Sequence, residues 1–195
     1  MSQSSEELSF IEAGLAGHNS GDLENAEKNY RKALEINPHN ADGLHLLGYL
    51  AYQSGFSEEA ISLIEDAIQI NPSNALFFNN IASVYKSVDE NDKAIIAYRQ
   101  SVRLNGNDAD ILNDLGNMLF DSNKAEASPG IMKEAEDFIG RAIAINPKNA
   151  KYHNNLGNVL RGMIPAKFDA ATECYQRAVK LDPELAGAIS NLGLM

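Results

Sequence analysis

Small and apolar residues recur along this chain on a fixed ruler. An Ala is followed seven residues on by Ala or Ser, and five further by Pro or Gly, five times over. The pairs are Ala26/Ala33, Ala60/Ala67, Ala94/Ser101, Ala135/Ala142 and Ala171/Ala178, and the stops are Pro38, Pro72, Gly106, Pro147 and Pro183. Ten residues past each stop stands another small residue: Gly48, Ala82, Gly116, Gly157 and Gly193. The first three units are 34 residues long. Between the markers, apolar residues recur at three and four, as in Leu44, Leu47, Ala51 and then Ala60, Leu63, Ile64, Ala67, Ile68. That is helical spacing. The second unit therefore predicts a helix A over 41–54 and an antiparallel helix B over 57–70. A unit of two helices at this period is the sequence mark of an all-α solenoid.

The punctuation agrees. A residue before Pro is pushed out of the helical region, so Asn71-Pro72 ends helix B. Gly106 replaces Pro in the third unit, and there a left-handed glycine is the expected stop. Asn40, Asn74, Asp108 and Asn149 stand where the next helices need an N-cap. Gly48 and Ala60 are expected where helices A and B cross, because small side chains allow a close approach. Leu47, Tyr85, Tyr98 and Tyr175 are expected to fill the space between neighbouring helices.

The frame resembles the tetratricopeptide repeat, whose pattern sets an aromatic or Leu, Leu-Gly and Tyr on helix A, and Ala, Phe/Tyr, Ala, Pro on helix B. The match runs through units at about 7–40, 41–74, 75–108, 109–149 and 150–185, with a partial sixth at 186–195. Phe10, Gly14, Tyr30 and Pro38 carry it in the first unit, and Leu156, Gly157, Tyr175 and Pro183 in the fifth. The resemblance implies a right-handed solenoid of antiparallel helix pairs, five repeats plus one unpaired C-terminal helix, in one array.

The period breaks twice. The spacing from the small residue of helix A to the first Ala of helix B is twelve in units one to three, nineteen from Gly116 to Ala135, and fourteen from Gly157 to Ala171. Both insertions are expected in A–B turns, at 122–133 and 162–167, as neighbours on one edge. They read either as an added contact surface or as loop drift, since loop length costs little stability. Residues 186–195 carry Ile189, Leu192 and Gly193 in helix-A register with no helix B behind them. Solenoid ends normally present a polar face, so this end reads as cut from a longer protein or as buried against a partner.

Composition narrows the chemistry. A net charge of −11 argues against nucleic acid and against an anionic membrane surface as partners. No run approaches a membrane-spanning length, and the polar, acidic start is unlike a targeting leader. A single cysteine, Cys174, excludes an internal disulfide and fits a reducing, cytoplasmic compartment. Cys174 reads as a packing residue. His18, His39, His45 and His153 are not at metal-ligand spacing and read as surface or groove residues. Without a nucleophile motif or a phosphate-binding glycine loop, we expect no catalysis by this segment, no cofactor and no metal.

What remains is a row of amides. In the repeat that this chain resembles, the A helices line the concave face. The residue before each Leu-Gly pair should point into it: Asn80, Asp114, Asn155 and Asn191. Asn79, Asn113 and Asn154 precede these, and Asn117 and Asn158 follow. An amide offers both donor and acceptor and can pair with any peptide backbone. Alternatively, these side chains satisfy neighbouring groups of their own fold. The row of Asn-Leu-Gly resembles the N-terminal superhelix of O-linked N-acetylglucosamine transferases, where an asparagine ladder holds extended substrates. Units one and two depart, with Glu12 and Leu46 at the ladder position. The expected partner is a protein or an extended peptide. Three functions stand at this point: a peptide-binding scaffold, the substrate-recognition region of a larger glycosyltransferase, and a module that self-associates through its uncapped last helix.

Overall fold

The computed structural model describes residues 3–122 and 128–194. Among them are eleven α-helices and no strand. The chain divides into two compact units, Met1–Leu104 and Asn105–Met195. The first holds α1 (Gln3–Ser20), α2 (Leu23–Ile36), α3 (Ala41–Gln53), α4 (Ser57–Ile70), α5 (Ala75–Ser87) and α6 (Asn91–Leu104). The second holds α7 (Ala109–Ser122), α8 (Pro129–Ile145), α9 (Ala150–Gly162), α10 (Phe168–Leu181) and the short α11 (Ala186–Gly193). Odd-numbered helices are the A helices and even-numbered ones the B helices. Within each unit every A helix packs along its own B helix, and every B helix packs on the A helix that follows.

The ruler marks the seams of this packing. The ten ruler residues, from Ala26 to Ala178, are fully buried. Ser101 replaces Ala at one of them, and its hydroxyl donates to Ala75 O at 2.9 Å, so the buried hydroxyl has a partner. Opposite the small residues of helix A lie large residues of helix B. A β-carbon on Gly48 would stand 2.8 Å from Ile64 Cγ1, and one on Gly116 would stand 2.6 Å from Ile139 Cγ1. On Gly157 it would meet the Tyr175 ring at 2.5 Å, and on Gly14 the Tyr30 ring. Glycine here buys interhelical proximity, and Ile64, Ile139, Tyr30 and Tyr175 are all 0 % exposed as a result.

The two kinds of turn are built differently. The A–B turns of the first unit put a left-handed residue at Gly21 (φ 80°), Gly55 (φ 86°) and Asp89 (φ 60°), at the 34-residue period. The amide next after the left-handed residue then bonds back to the last turn: Asp22 N to Gly17 O, Phe56 N to Ala51 O and Glu90 N to Tyr85 O, each at 2.9 Å. This closes the free carbonyls of the helix end. The B–A turns use an Asx bond instead. Asn37, Asn71, Asn105 and Asp182 each accept, through the side chain, the amide two residues on, at 3.1, 3.3, 3.4 and 3.0 Å. Gly106 is therefore not the left-handed stop expected of it. Its φ is not positive, and the turn-forming side chain is its neighbour Asn105. All four expected N-caps are made. Asn40 accepts from Gly43 N, Asn74 from Leu76 N, Asp108 from Asp110 N and Ile111 N, and Asn149 from Lys151 N.

The insertions differ from expectation in one respect. Residues 123–127 lie outside the described residues, and Ser128 opens α8 with Pro129 in its first turn. Helix α8 has 17 residues where its counterparts α4, α6 and α10 have 14, so part of the insertion placed at 122–133 is helix rather than turn. Proline suits that place because its missing N–H would be unpaired in a first turn anyway. The two insertions are neighbours: Lys167 Nζ meets both carboxylate oxygens of Glu136 at 2.8 and 2.9 Å. Pro129 and Met132 share a small cleft with Met163, Ile164 and Pro165.

Candidate functional site

The A helices carry two rows of residues one position apart. The first row runs His45, Asn79, Asn113, Asn154, and the second Leu46, Asn80, Asp114, Asn155, Asn191. The structure links them by a repeated bond, from the first row of one A helix to the second row of the next. Within unit one, Asn80 Nδ2 donates to His45 Nε2 at 2.8 Å. Within unit two, Asn155 Nδ2 donates to Asn113 Oδ1 at 3.0 Å, and Asn191 Nδ2 donates to Asn154 Oδ1 at 3.0 Å. Three side-chain bonds of one register tie successive A helices together.

Further contacts extend the row in unit two. Asn113 Nδ2 donates to Asp114 Oδ1 at 3.4 Å. Asn158 Oδ1 accepts from Asn191 Nδ2 at 3.0 Å and from the Tyr175 hydroxyl at 2.9 Å. Asn117 Nδ2 donates to Asp121 Oδ2 at 3.2 Å along its own helix. The side-chain amide of Asn79 has no partner among the described residues, and only the backbone carbonyl of Asn79 accepts, from Ser83 Oγ at 3.2 Å.

One expected ladder residue is misplaced by the sequence reading. Asn113 is only 8 % exposed, so it anchors Asn155 rather than facing a partner. A buried amide is held by its bonds, since leaving it unpaired is costly. Asn79, Asn80, Asp114, Asn117, Asn154, Asn155, Asn158 and Asn191 are all half-buried. An amide has two N–H groups and a carbonyl with two lone pairs. Asn80 and Asn155 each direct a single N–H into the row, which leaves capacity for a further group.

The sequence reading also missed His45. It is 4 % exposed, not a surface or groove residue. Its ring stacks on Phe77 with centroids 4.5 Å apart at 25°. Because an amide nitrogen can only donate, Nε2 of His45 must accept, and the ring is neutral with its proton on Nδ1. Burial lowers its pKa to about 4, well below the ordinary histidine value. The available signal was register: His45 stands 34 residues before Asn79, in the anchoring row, and not in the row where Leu46 stood out.

The remaining polar candidates serve the fold. His18 Nε2 donates to Gln53 Oε1 at 2.6 Å, which leaves Nδ1 to accept from the Tyr30 hydroxyl at 3.3 Å. His153 Nε2 meets Pro147 O at 2.9 Å. Cys174 is half-buried, and burial together with Glu173 and Glu136 pushes its thiol pKa up, away from the reactive thiolate. Among the described residues no cluster of His, Cys, Asp and Glu could hold a metal ion, and no helix is long and apolar enough to cross a membrane.

Residues 41–74, 75–108 and 150–185 each match the sequence profile described as tetratricopeptide repeat, and residues 14–55 match a profile described as TPR repeat. The chain belongs to the tetratricopeptide repeat family. None of these matches includes 109–149, the repeat stretched by the longer insertion. No curated protein sequence matches the chain. Solved structures share its fold. The protein MamA is 22 % identical with a TM-score of 0.76, covering 93 % of this chain and 94 % of its own. YrrB, described as a TPR protein with an unusual peptide-binding site, is 21 % identical with a TM-score of 0.79, at 93 % and 89 % coverage. A tetratricopeptide repeat protein from Parabacteroides merdae ATCC 43184 is 18 % identical with a TM-score of 0.78, at 96 % and 71 % coverage. A chain of this family is an interaction scaffold, with protein or peptide as its class of partner.

Proposed function

We propose that the A-helix faces of this chain hold an extended segment of a partner protein by its backbone. The observation that carries the reading is the repeated cross-helix bond at His45–Asn80, Asn113–Asn155 and Asn154–Asn191. It fixes half-buried amides in orientation while leaving each with unused bonding capacity. Pre-oriented groups lose less rotamer freedom when a ligand docks. Side-chain amides contacting a backbone read no particular sequence, so the scaffold accepts segments by shape and extension. With ~0.5–1.5 kcal/mol net per hydrogen bond, several rungs are needed for useful affinity. That YrrB is described as having a peptide-binding site agrees in kind with this proposal. The glycosyltransferase reading rests on a resemblance of sequence alone, at 154–158 and 173–178.

Selection of peptides from a displayed random library on the immobilised protein tests the proposal. The informative variants are Asn79→Ala, whose amide has no internal partner, and Asn80→Ala. Selected peptides should lose affinity severalfold for each, while a Lys28→Ala control on a B helix binds as before. Peptides that bind both asparagine variants as tightly as the parent would place the binding surface elsewhere.

A further inference from the structure

The outer side of the B helices carries one departure from the repeat. The second residue after the first helix-B Ala is Lys28, Ser62, Ile96, Asp137 and Glu173 in the successive repeats. Only the third repeat places an apolar residue there, and Ile96 is 68 % exposed. The next position reads Asn29, Leu63, Ala97, Phe138 and Cys174. Where its neighbours have Leu63 and Phe138, the third repeat has Ala97, whose side chain is too short to fill the seam. The result is a cleft of about 640 Å³ between α4 and α6. Phe78, Ile81 and Tyr85 form its floor, and Ile68, Ile96 and Ala97 its walls. A protruding Ile thus sits at the lip of an apolar hollow, both made by substitutions at adjacent positions.

The flanking charge is divided. Helix α4 carries Glu58, Glu59, Glu65 and Asp66 and no base. Helix α6 carries Lys93, Arg99 and Arg103 against Asp92. Arg99 and Arg103 lie three and seven residues after Ile96, on the same side of α6, and Glu58 and Glu65 share a side of α4 seven residues apart. Glu65 accepts the Tyr85 hydroxyl at 2.5 Å at the edge of the cleft. A knob beside a hole, and an acidic wall beside a basic one, make a surface complementary to itself under two-fold rotation.

We propose that this outer face of α4 and α6 pairs with the same face of a second copy of the chain. Ile96 of each copy enters the other's cleft beside Ala97, and the basic side of each α6 meets the acidic side of the other's α4. This surface lies on the B helices and is independent of the A-helix amide rows.

Sedimentation equilibrium of the whole chain at concentrations from about 1 to 100 µM tests the proposal, a range that resolves ordinary dimers. The expected result is a reversible dimer that weakens with added salt. Ile96→Asp restores the polar residue of the fourth repeat at an exposed position, and Ala97→Leu fills the hollow as Leu63 does in the second. Each should weaken dimerisation by on the order of tenfold or more, with the helical melting curve retained. Ile189→Asp on the exposed face of α11 should leave the dimer intact. The proposal is overturned if the chain is monomeric throughout, if both cleft variants dimerise like the parent, or if Ile189→Asp alone abolishes the dimer.

Discussion

Asn155 of α9 donates its side-chain amide to Oδ1 of Asn113 on α7 across 3.0 Å, joining two helices whose contributing residues are 42 apart in sequence. The two partners are not equivalent. Asn113 is 8 % exposed, whereas Asn155 is half-buried and nearer the surface. Truncating Asn113 leaves a cavity and an unpaired neighbour, which should cost about 1–3 kcal/mol. Truncating Asn155 should cost about 0.5–1.5 kcal/mol, the net worth of one bond. Urea unfolding of Asn113→Ala and Asn155→Ala measures both. Equal, negligible losses would show that the bond does not hold the row.

The glycines within the helices divide sharply by what they touch. A β-carbon at Gly48 meets Ile64 Cγ1 at 2.8 Å and Leu63 Cβ at 3.1 Å, whereas one at Gly140 within α8 meets nothing within 4 Å. Gly48→Leu should therefore destabilise by about 1–3 kcal/mol through overpacking. Gly140→Ala should stabilise by roughly 0.5–1 kcal/mol, because Ala is the better helix former. Thermal melting of the pair checks both signs. A neutral Gly48→Leu would mean the crossing can open without cost.

This contrast also shows why the fold was legible in the sequence and the site only partly so. Steric demands repeat wherever the geometry repeats. Ala60, Ala67, Gly48 and Pro72 therefore recur at one period, and a seven-residue insertion did not hide them. Polar partners are set by which side chain reaches across to the next helix, and that depends on burial. Reading both rows as one binding ladder missed that the first of them does the anchoring. It placed Asn113 on the surface and overlooked His45, which does by ring nitrogen what Asn113 does by carbonyl. Gly106 misled for a related reason: the repeat conserves the geometry of the turn, and Asn105 supplies it through a side chain.

Asp89 occupies the left-handed position held by Gly21 and Gly55 in the two preceding repeats, with φ at 60°. A residue with a β-carbon is disfavoured there, although Asp tolerates it better than most. Asp89→Gly should raise stability by roughly 0.5–1 kcal/mol, the conformational relief outweighing the added freedom of the unfolded chain. Asp89→Val should lower stability, since a β-branched side chain suits that region least. Chemical denaturation of both variants decides the matter. A more stable Val variant would show that the turn relaxes to another conformation.

The His45–Asn80 bond makes stability depend on pH in a defined window. Burial holds the His45 pKa at about 4, below the ~6.5 of an unfolded histidine. The folded state therefore favours the neutral ring, and below the unfolded value the unfolded chain binds the extra proton. The contribution of His45 is complete above about pH 6.5 and is lost as pH falls from there through about 4. Its full size is on the order of 3 kcal/mol from the shift. Carboxylates titrate over part of the same range, so the parent must be compared with His45→Asn. That variant keeps a side-chain acceptor of the kind Asn113 provides but cannot titrate. It should lose about 0.5–1.5 kcal/mol at neutral pH for want of the ring stacked on Phe77. Its stability should fall less steeply than the parent's between pH 6.5 and 4, so that the two unfolding free energies converge or cross as acid is added. Parallel curves over that interval would show that His45 takes up its proton in the folded state as readily as in the unfolded one, and that the buried, accepting ring is not what holds Asn80 in place.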